Sequence, residues 1–323
     1  MFIPLNIIFF NTMEKYRKIL IIRPGAIGDT LMLLPSIKIL TQHSQVYVAG
    51  RRPGINFLFP HTSECFDMDE SAWHKLFLRS PAPTGLPPSG VNLVACFIND
   101  PKGMIWRNLR FHYPGAEIFV FPSLPEQCLK MHVAQYVAYC LQSCGAGIDS
   151  YEAIELACKS PLLVEKDQGL VRQHLMLHPG SGSRKKNYPL FFWVELIQKI
   201  TLRFEDSRIK KIVLLGPAEQ DIKPYFSDIA STWEWEIADI PSPEALLGLM
   251  RETEIFVGHD SGMSHLAAMV GARTIVLFKS TDPSMWRPLG PRVVVIKEGK
   301  NEEKTLVRVF EQLNLNTLPA VSR

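Results

Sequence analysis

Short apolar runs recur along the chain, each closed by glycine, proline or charge. In the first half, residues 18–23 (KILIIR), 45–50 (QVYVAG), 92–98 (NLVACFI) and 116–121 (AEIFVF) read as buried strands. A helix follows residues 24–29 and carries Leu31, Leu34 and Leu40; Pro35 inside it predicts a kink or a restart. Residues 80–90 (SPAPTGLPPSG) predict a loop, and residues 132–141 a helix that closes near residues 145–147 (GAG). The second half repeats the style. A strand runs into a glycine loop at 174–183, and strands follow at 210–216, 255–258 and 273–278. Helices are expected at 190–200, 243–252 and 261–270, and a last one at about 302–314 is expected to fold back across the domains. Strands alternating with helices predict parallel sheets covered on both faces. Two such halves, joined around residues 150–170, enclose a cleft. Ligands of such sheets bind beyond the carboxyl ends of the strands.

The 323 residues suffice for about two domains. With 46% hydrophobic and 21% charged residues, disorder is excluded. The net charge of +3 is too small to make nucleic acid the main partner, but suits anionic substrates or an anionic membrane surface. The six cysteines (Cys65, Cys96, Cys128, Cys140, Cys144 and Cys158) form no CxxC pair and read as reduced thiols of a cytosolic protein. Cys140 and Cys144 lack the two further ligands that zinc would need. The stretch from Phe2 to Phe10 is broken by Pro4 and Asn6 and falls short of the roughly 20 residues of a membrane span. It lacks the flanks of a signal peptide. Either Met13 is the true start, or residues 1–12 form a short interfacial anchor.

Four turns carry candidate chemistry. In RPGAIGD, Asp29 falls where an N-cap is expected; it either caps the helix or presents a carboxylate over the cleft. In HPGSGSRKKNYP, small residues between Gly180 and Ser183 free backbone N–H groups for phosphate oxygens beside Arg184, Lys185 and Lys186. The alternative is a solvated basic turn. In GHDSGMSHLAAMVG, a strand enters a helix through Asp260, Ser261 and Gly262. Met263, Leu266, Ala267 and Val270 form its apolar stripe, and Gly271 its C-terminal cap. Its free N–H groups and partial positive charge are suited to a diphosphate. His265, off the stripe, either faces the ligand or is structural. In GPAE, Glu219 is placed to accept ribose hydroxyls or is a plain surface residue. Asp67 and Asp69 imitate a DxD metal motif, but in an acidic stretch without a strong preceding strand. GxGxxG and GxxxxGK[ST] patterns are absent.

Taken together, RPGAIGDTLMLLP, HPGSGSRKKNYP, GPAE, GHDSGMSHLAAMVGARTIVLF and STDPSMWRPLG, in that order between residues 18 and 290, resemble glycosyltransferase family 9. These are the ADP-heptose:lipopolysaccharide heptosyltransferases and their relatives. The resemblance implies an α/β GT-B fold, two Rossmann-like domains with parallel sheets facing a central cleft. Residues 13–160 would bind the acceptor and 161–323 the nucleotide sugar. It implies an inverting transferase moving a sugar, heptose by analogy, from an ADP-sugar to a lipopolysaccharide inner-core or related lipid-linked glycan. Asp29 matches the family's general base and Lys186 its phosphate-contacting lysine. Ser181, Ser183, Glu219, Asp260, Ser261, Gly262, Met263 and His265 match nucleotide-sugar contacts; Ser261 stands where threonine is common. Lys102, Arg107 and Arg110, with His112, are either acceptor contacts or a solvated basic face. No cofactor and no metal are expected, because Lys186 and a helix end meet the leaving charge. The implied location is cytoplasmic, peripheral to the inner membrane. Two rivals remain: a GT-B enzyme of another nucleotide sugar, such as a UDP-sugar transferase or epimerase, and a non-catalytic nucleotide-binding protein.

Overall fold

The computed structural model describes residues 16–313 apart from 71, 127, 129, 165–170, 205–208, 240, 241 and 300. The apolar stretch at 2–10 and the candidate start at Met13 lie outside the described residues. The first sheet contains β1 (Lys18–Ile22), β2 (Gln45–Gly50), β3 (Glu64–Asp67), β4 (Leu93–Phe97) and β5 (Glu117–Phe121) in the order β3-β2-β1-β4-β5, all parallel. The second contains β6 (His174–His178), β7 (Lys210–Leu215), β8 (Glu236–Asp239), β9 (Thr253–His259), β10 (Arg273–Leu277) and β11 (Val293–Ile296) in the order β11-β10-β9-β6-β7-β8, again all parallel. This is the expected α/β architecture of two parallel sheets. Central strands are continuous apolar runs because helices cover both faces; every residue of β4, β6 and β9 is buried.

The helix after β1 restarts at Pro35, giving α1 (Ile27–Leu31) and α2 (Leu34–Leu40). Proline fits there because the first turn of a helix leaves its N–H unused. Next come α3 (Met104–His112), α4 (Val133–Ser143) and α5 (Ser150–Lys159). The expected connector at 150–170 is therefore partly helix. Asp149 caps α5 by accepting from the N–H groups of Tyr151 and Glu152, and Ala153 and Ala157 bury its inner face. The second domain adds α6 (Leu190–Arg203), α7 (Lys223–Trp233), α8 (Pro243–Arg251), α9 (Gly262–Met269), the short α10 (Pro283–Trp286) and α11 (Glu302–Gln312). The last helix does not fold back across the domains: Leu306 and Val309 pack into the second domain's core with Phe192 and Ile200.

One apolar core joins the two halves, with Ile21 and Leu31 of the first and Met263 and Leu266 of the second in the same cluster. α9 lies at the centre of this junction, and all of Met263–Met269 is buried rather than one stripe alone. The reason is close approach: a Cβ on Gly262 would fall 2.8 Å from Ile27 Cβ, so glycine lets the starts of α1 and α9 meet. His132, at the start of α4, adds a hydrogen bond from Nε2 to the Arg287 carbonyl (2.9 Å).

Candidate active site

In each sheet the strand order reverses once at the centre, between β1 and β4 and between β6 and β9. At such a point the flanking loops diverge and open a crevice beyond the strands' carboxyl ends. Of the candidate residues, Asp29 lines the first crevice and Ser181, Glu219, Ser261, Gly262 and Met263 the second, whereas Ser183, Lys186, Asp260 and His265 lie behind that lining.

At the first, Arg23, Pro24, Asp29, Phe97, Ser123 and Leu124 line a cavity of about 190 Å³. Asp29 is not the N-cap of α1, as expected, but its third residue. Ala26 is the cap, and Asp29 Oδ2 accepts its N–H at 3.2 Å. The helix starts three residues earlier than the acidic side chain suggested, so the carboxylate reaches back over the turn and stays partly open to solvent. Arg23, only 2% exposed, brackets it: Nη2 is 3.8 Å from Asp29 Oδ1, and Nε donates to Asp29 O at 3.1 Å. Nη1 donates to Ser123 O (2.9 Å), and the guanidinium lies over the Phe97 ring. Burial lowers the Arg23 pKa, and Asp29 opposes that shift.

At the second crevice, a cavity of about 480 Å³ is lined by Ser181, Gly182, Glu219, Ser261, Gly262 and Met263, and reaches Ala26, Ile27 and Gly28 on the facing domain. Ser261 precedes α9, yet its hydroxyl makes no cap and its buried Oγ has no partner among the described residues. The first-turn N–H groups of α9 have no intrahelical acceptors. Glu219 is buried rather than a surface residue: Oε2 accepts the Gly216 N–H at 2.8 Å, and the carboxyl lies where a side chain on Gly180 would collide with it. Burial raises its pKa, against the Gly216 hydrogen bond. Ser181 Oγ donates within the glycine loop, to Ser183 O (2.9 Å) or Asn187 Oδ1 (2.5 Å).

Lys186 is engaged by a neighbour. Its Nζ donates to Asp260 Oδ2 at 2.8 Å and to Asp260 O at 3.3 Å, while Thr281 Oγ1 donates to the same Oδ2 at 2.7 Å. His265 lies 4.0 Å from Asp260 Oδ1 and is buried at the domain junction, outside the lining of the cavity. Lys102, Arg107 and Arg110 are exposed around α3 and line neither cavity. Asp67 is the last residue of the short edge strand β3, and it pairs with Arg52 (3.1 Å) while Asp69 pairs with Arg51 (3.0 Å). Those acids have cationic partners already. None of the six cysteines forms a disulfide.

Two histidines that sequence reasoning left without a role close the strands at the second crevice. His259 Nε2 accepts the Tyr188 N–H at 2.8 Å and Nδ1 faces the Gly180 carbonyl at 3.4 Å, so the ring ties the glycine loop to β9. His178 ends β6, 3.9 Å from Glu219. Their positions at strand ends beside the glycine loop were the available signal. Burial lowers their pKa values, to about 4 for His178, about 3 for His259 and about 4 for His265. All three are neutral, so the approaches to Glu219 and Asp260 are not ion pairs. The unfolded chain protonates them near 6.5, and the folded one only near 4 or below. Their contribution to stability is thus intact above pH 6.5 and lost as pH falls towards 4, each ring giving up about 1.4 kcal/mol for every pH unit crossed. Raised Glu219 opposes this trend but is a single group. The melting temperature should fall steeply between pH 6.5 and 4.5; a flat profile would contradict neutral burial.

Two parallel sheets, each with a crevice at its switch point and both joined through one core, are the architecture of the GT-B class. The model of glycosyltransferase family 9 (heptosyltransferase) matches residues 110–314, and the chain belongs to that family; it is a glycosyltransferase. Its fold is similar to that of the Escherichia coli heptosyltransferase WaaC solved with ADP, at 14% identity over 91% of this chain and 99% of that one, with a TM-score of 0.65. It is also similar to the E. coli ADP-heptose lps heptosyltransferase II (16% identity, 92% and 97% covered, TM-score 0.62). A family 9 glycosyltransferase from Veillonella parvula matches at 14% identity, 91% of each chain and a TM-score of 0.63. No curated protein sequence matches the chain.

Proposed function

We propose that the protein transfers a heptose, with inversion, from an ADP-sugar to a lipid-linked glycan of the lipopolysaccharide inner-core type. The observation that carries this reading is the opposition of the two crevices across one junction: α1, which bears Asp29, meets the N-terminus of α9 through Gly28 and Gly262. Asp29 takes the proton of the acceptor hydroxyl as its oxygen bonds to the anomeric carbon. The bond from that carbon to the diphosphate oxygen breaks on the opposite face. The leaving charge is held by the N–H groups of Ser261, Gly262 and Met263 and by Lys186 swinging from Asp260. Ser181 and Ser183 border the phosphates, and Glu219 accepts the ribose hydroxyls. Structures of one similar protein, E. coli WaaC, carry ADP and ADP-2-deoxy-2-fluoro heptose, which supports the donor class. No helix among the described residues is long and apolar enough to cross a membrane. In this reading the reaction runs at the cytoplasmic face, with the acceptor reaching the enzyme from the lipid.

Thermal-shift competition tests the donor. ADP should raise the melting temperature and UDP should not; the reverse would favour an enzyme of a uridine nucleotide sugar. Turnover should also survive excess EDTA, since among the described residues no group of three His, Cys, Asp or Glu side chains is placed to hold a metal ion. Loss of turnover with chelator, restored by Mg²⁺ or Mn²⁺, would refute metal-independent transfer.

A further inference from the structure

On the flank of the first domain, α3 packs on the short helical turn at Trp73–Phe77 through Asn108, whose Nδ2 donates to the carbonyls of Leu76 and Leu78 (both 2.9 Å). The buried side of α3 carries Ile105, Asn108 and Leu109. Successive residues of a helix turn by about 100°, so the open side reads Trp106, Arg110, Arg107, Phe111 in angular order, two arginines flanked by two aromatics. Trp106 is 47% and Phe111 51% exposed, and on the adjoining segment Phe77 is 48% and Leu78 37% exposed. Large apolar side chains this open, grouped on two touching segments, mark an interaction surface rather than ordinary scatter.

The charge on this face is of one sign. Segments 73–79 and 101–113 hold Lys75, Arg79, Lys102, Arg107 and Arg110 and no acidic residue. Asp100, which precedes the second segment, is used at the start of α3, accepting the N–H groups of Met104 (2.8 Å) and Trp106 (2.9 Å). Arg107 and Arg110 donate to the backbone carbonyls of Arg79 (2.6 Å) and Ala116 (3.4 Å), so their charges are not neutralised by these contacts. Arg110 also stands over the Trp106 ring, at 5.9 Å.

We propose that this face attaches the protein to an anionic lipid bilayer, the aromatic rings entering the headgroup layer and the cations meeting lipid phosphates. Cations interleaved with exposed aromatics fit such a surface, because both the apolar and the electrostatic terms act at the same depth. The position fits as well. α3 starts at the carboxyl end of β4, beside β1, and so at the same sheet edge as Asp29. A groove of about 790 Å³ at that edge is lined by Asn99, Trp106, Phe121 and Pro122, and Asn99 Oδ1 accepts the N–H of Ser123, which lines the Asp29 cavity. Docking here would hold the open side of that cavity near the lipid surface. The attachment does not depend on which sugar or acceptor is used.

The test is vesicle co-sedimentation of the full chain with phosphatidylcholine alone and with phosphatidylcholine containing phosphatidylglycerol, without acceptor. Each cation near an anionic leaflet strengthens attachment by roughly fivefold, so the mixed vesicles should bind at least tenfold better, and R107Q/R110Q should remove most of that preference. Trp106→Ser with Phe111→Ser should weaken binding to the mixed vesicles by roughly tenfold or more. Both variants should keep the wild-type melting temperature, since all four side chains are exposed; Trp106→Ser alone serves if the pair does not. The apolar residues at the start of the chain are common to every variant. Equal binding to both vesicles would overturn the proposal. So would full binding by the aromatic variant with loss in the arginine variant, which would describe a general site for anionic polymers.

Discussion

Asp29→Asn should lower kcat by roughly 10²–10⁴, the usual worth of a general base, and leave ADP affinity nearly unchanged. The separation of the crevices predicts the split. Asp29 belongs to the β1/β4 crevice, whereas Ser261, Gly262 and Met263 line the one beyond β6 and β9. A base acts only as the new bond forms, so the loss should fall on kcat rather than on donor binding. Asparagine keeps an oxygen for the Ala26 N–H now bonded at 3.2 Å, so α1 should still begin where it does. It removes the negative charge 3.8 Å from buried Arg23, which retains its bonds to Asp29 O and Ser123 O. A small drop in melting temperature should therefore accompany the kinetic loss. If the carboxylate only closes the helix start, the variant will turn over at near the wild-type rate, and the mechanism proposed above falls.

The central strands were legible because burial on both faces leaves only apolar residues: KILII, LVACF and the middle of β9 announce themselves. β3 (ECFD) and β8 (EIAD) were not, because an edge strand of four half-buried residues has no such run. The same applies to α7, in which Phe226 and Ala230 alone are buried. The glycine-bearing turns located both crevices, since glycine is required where loops meet closely. What those turns did not reveal was partnership. That Asp260 holds Lys186 and that Glu219 turns inward against Gly180 depend on chain crossings separated by many residues, whereas Arg23 brackets Asp29 from within the same turn. The order of the second sheet, with β6 between β9 and β7, creates the two long-range contacts, and local sequence does not encode it.

That partnership changes what Lys186→Ala should do. Loss of one charge-assisted contact to a diphosphate is worth about 1.5–3 kcal/mol, so ADP should bind roughly ten- to a hundredfold more weakly, and turnover should fall with it. The same substitution strips Asp260, which is 3% exposed, of the cation 2.8 Å away and leaves it the Thr281 hydroxyl at 2.7 Å. A buried carboxylate without its counter-ion destabilises the fold, so the melting temperature should fall as well. The two effects separate on the ligand rather than on the protein. Adenosine has no phosphate; if Lys186 contacts the diphosphate, ADP affinity drops sharply while adenosine affinity holds. If Lys186 serves only to keep Asp260 and the start of α9 in place, both ligands weaken by the same factor. Unchanged ADP affinity would pass the contact to Lys185 or Arg184, or remove the phosphate role altogether. Parallel titrations of ADP and adenosine against the variant, each with a melting curve, decide among these three outcomes.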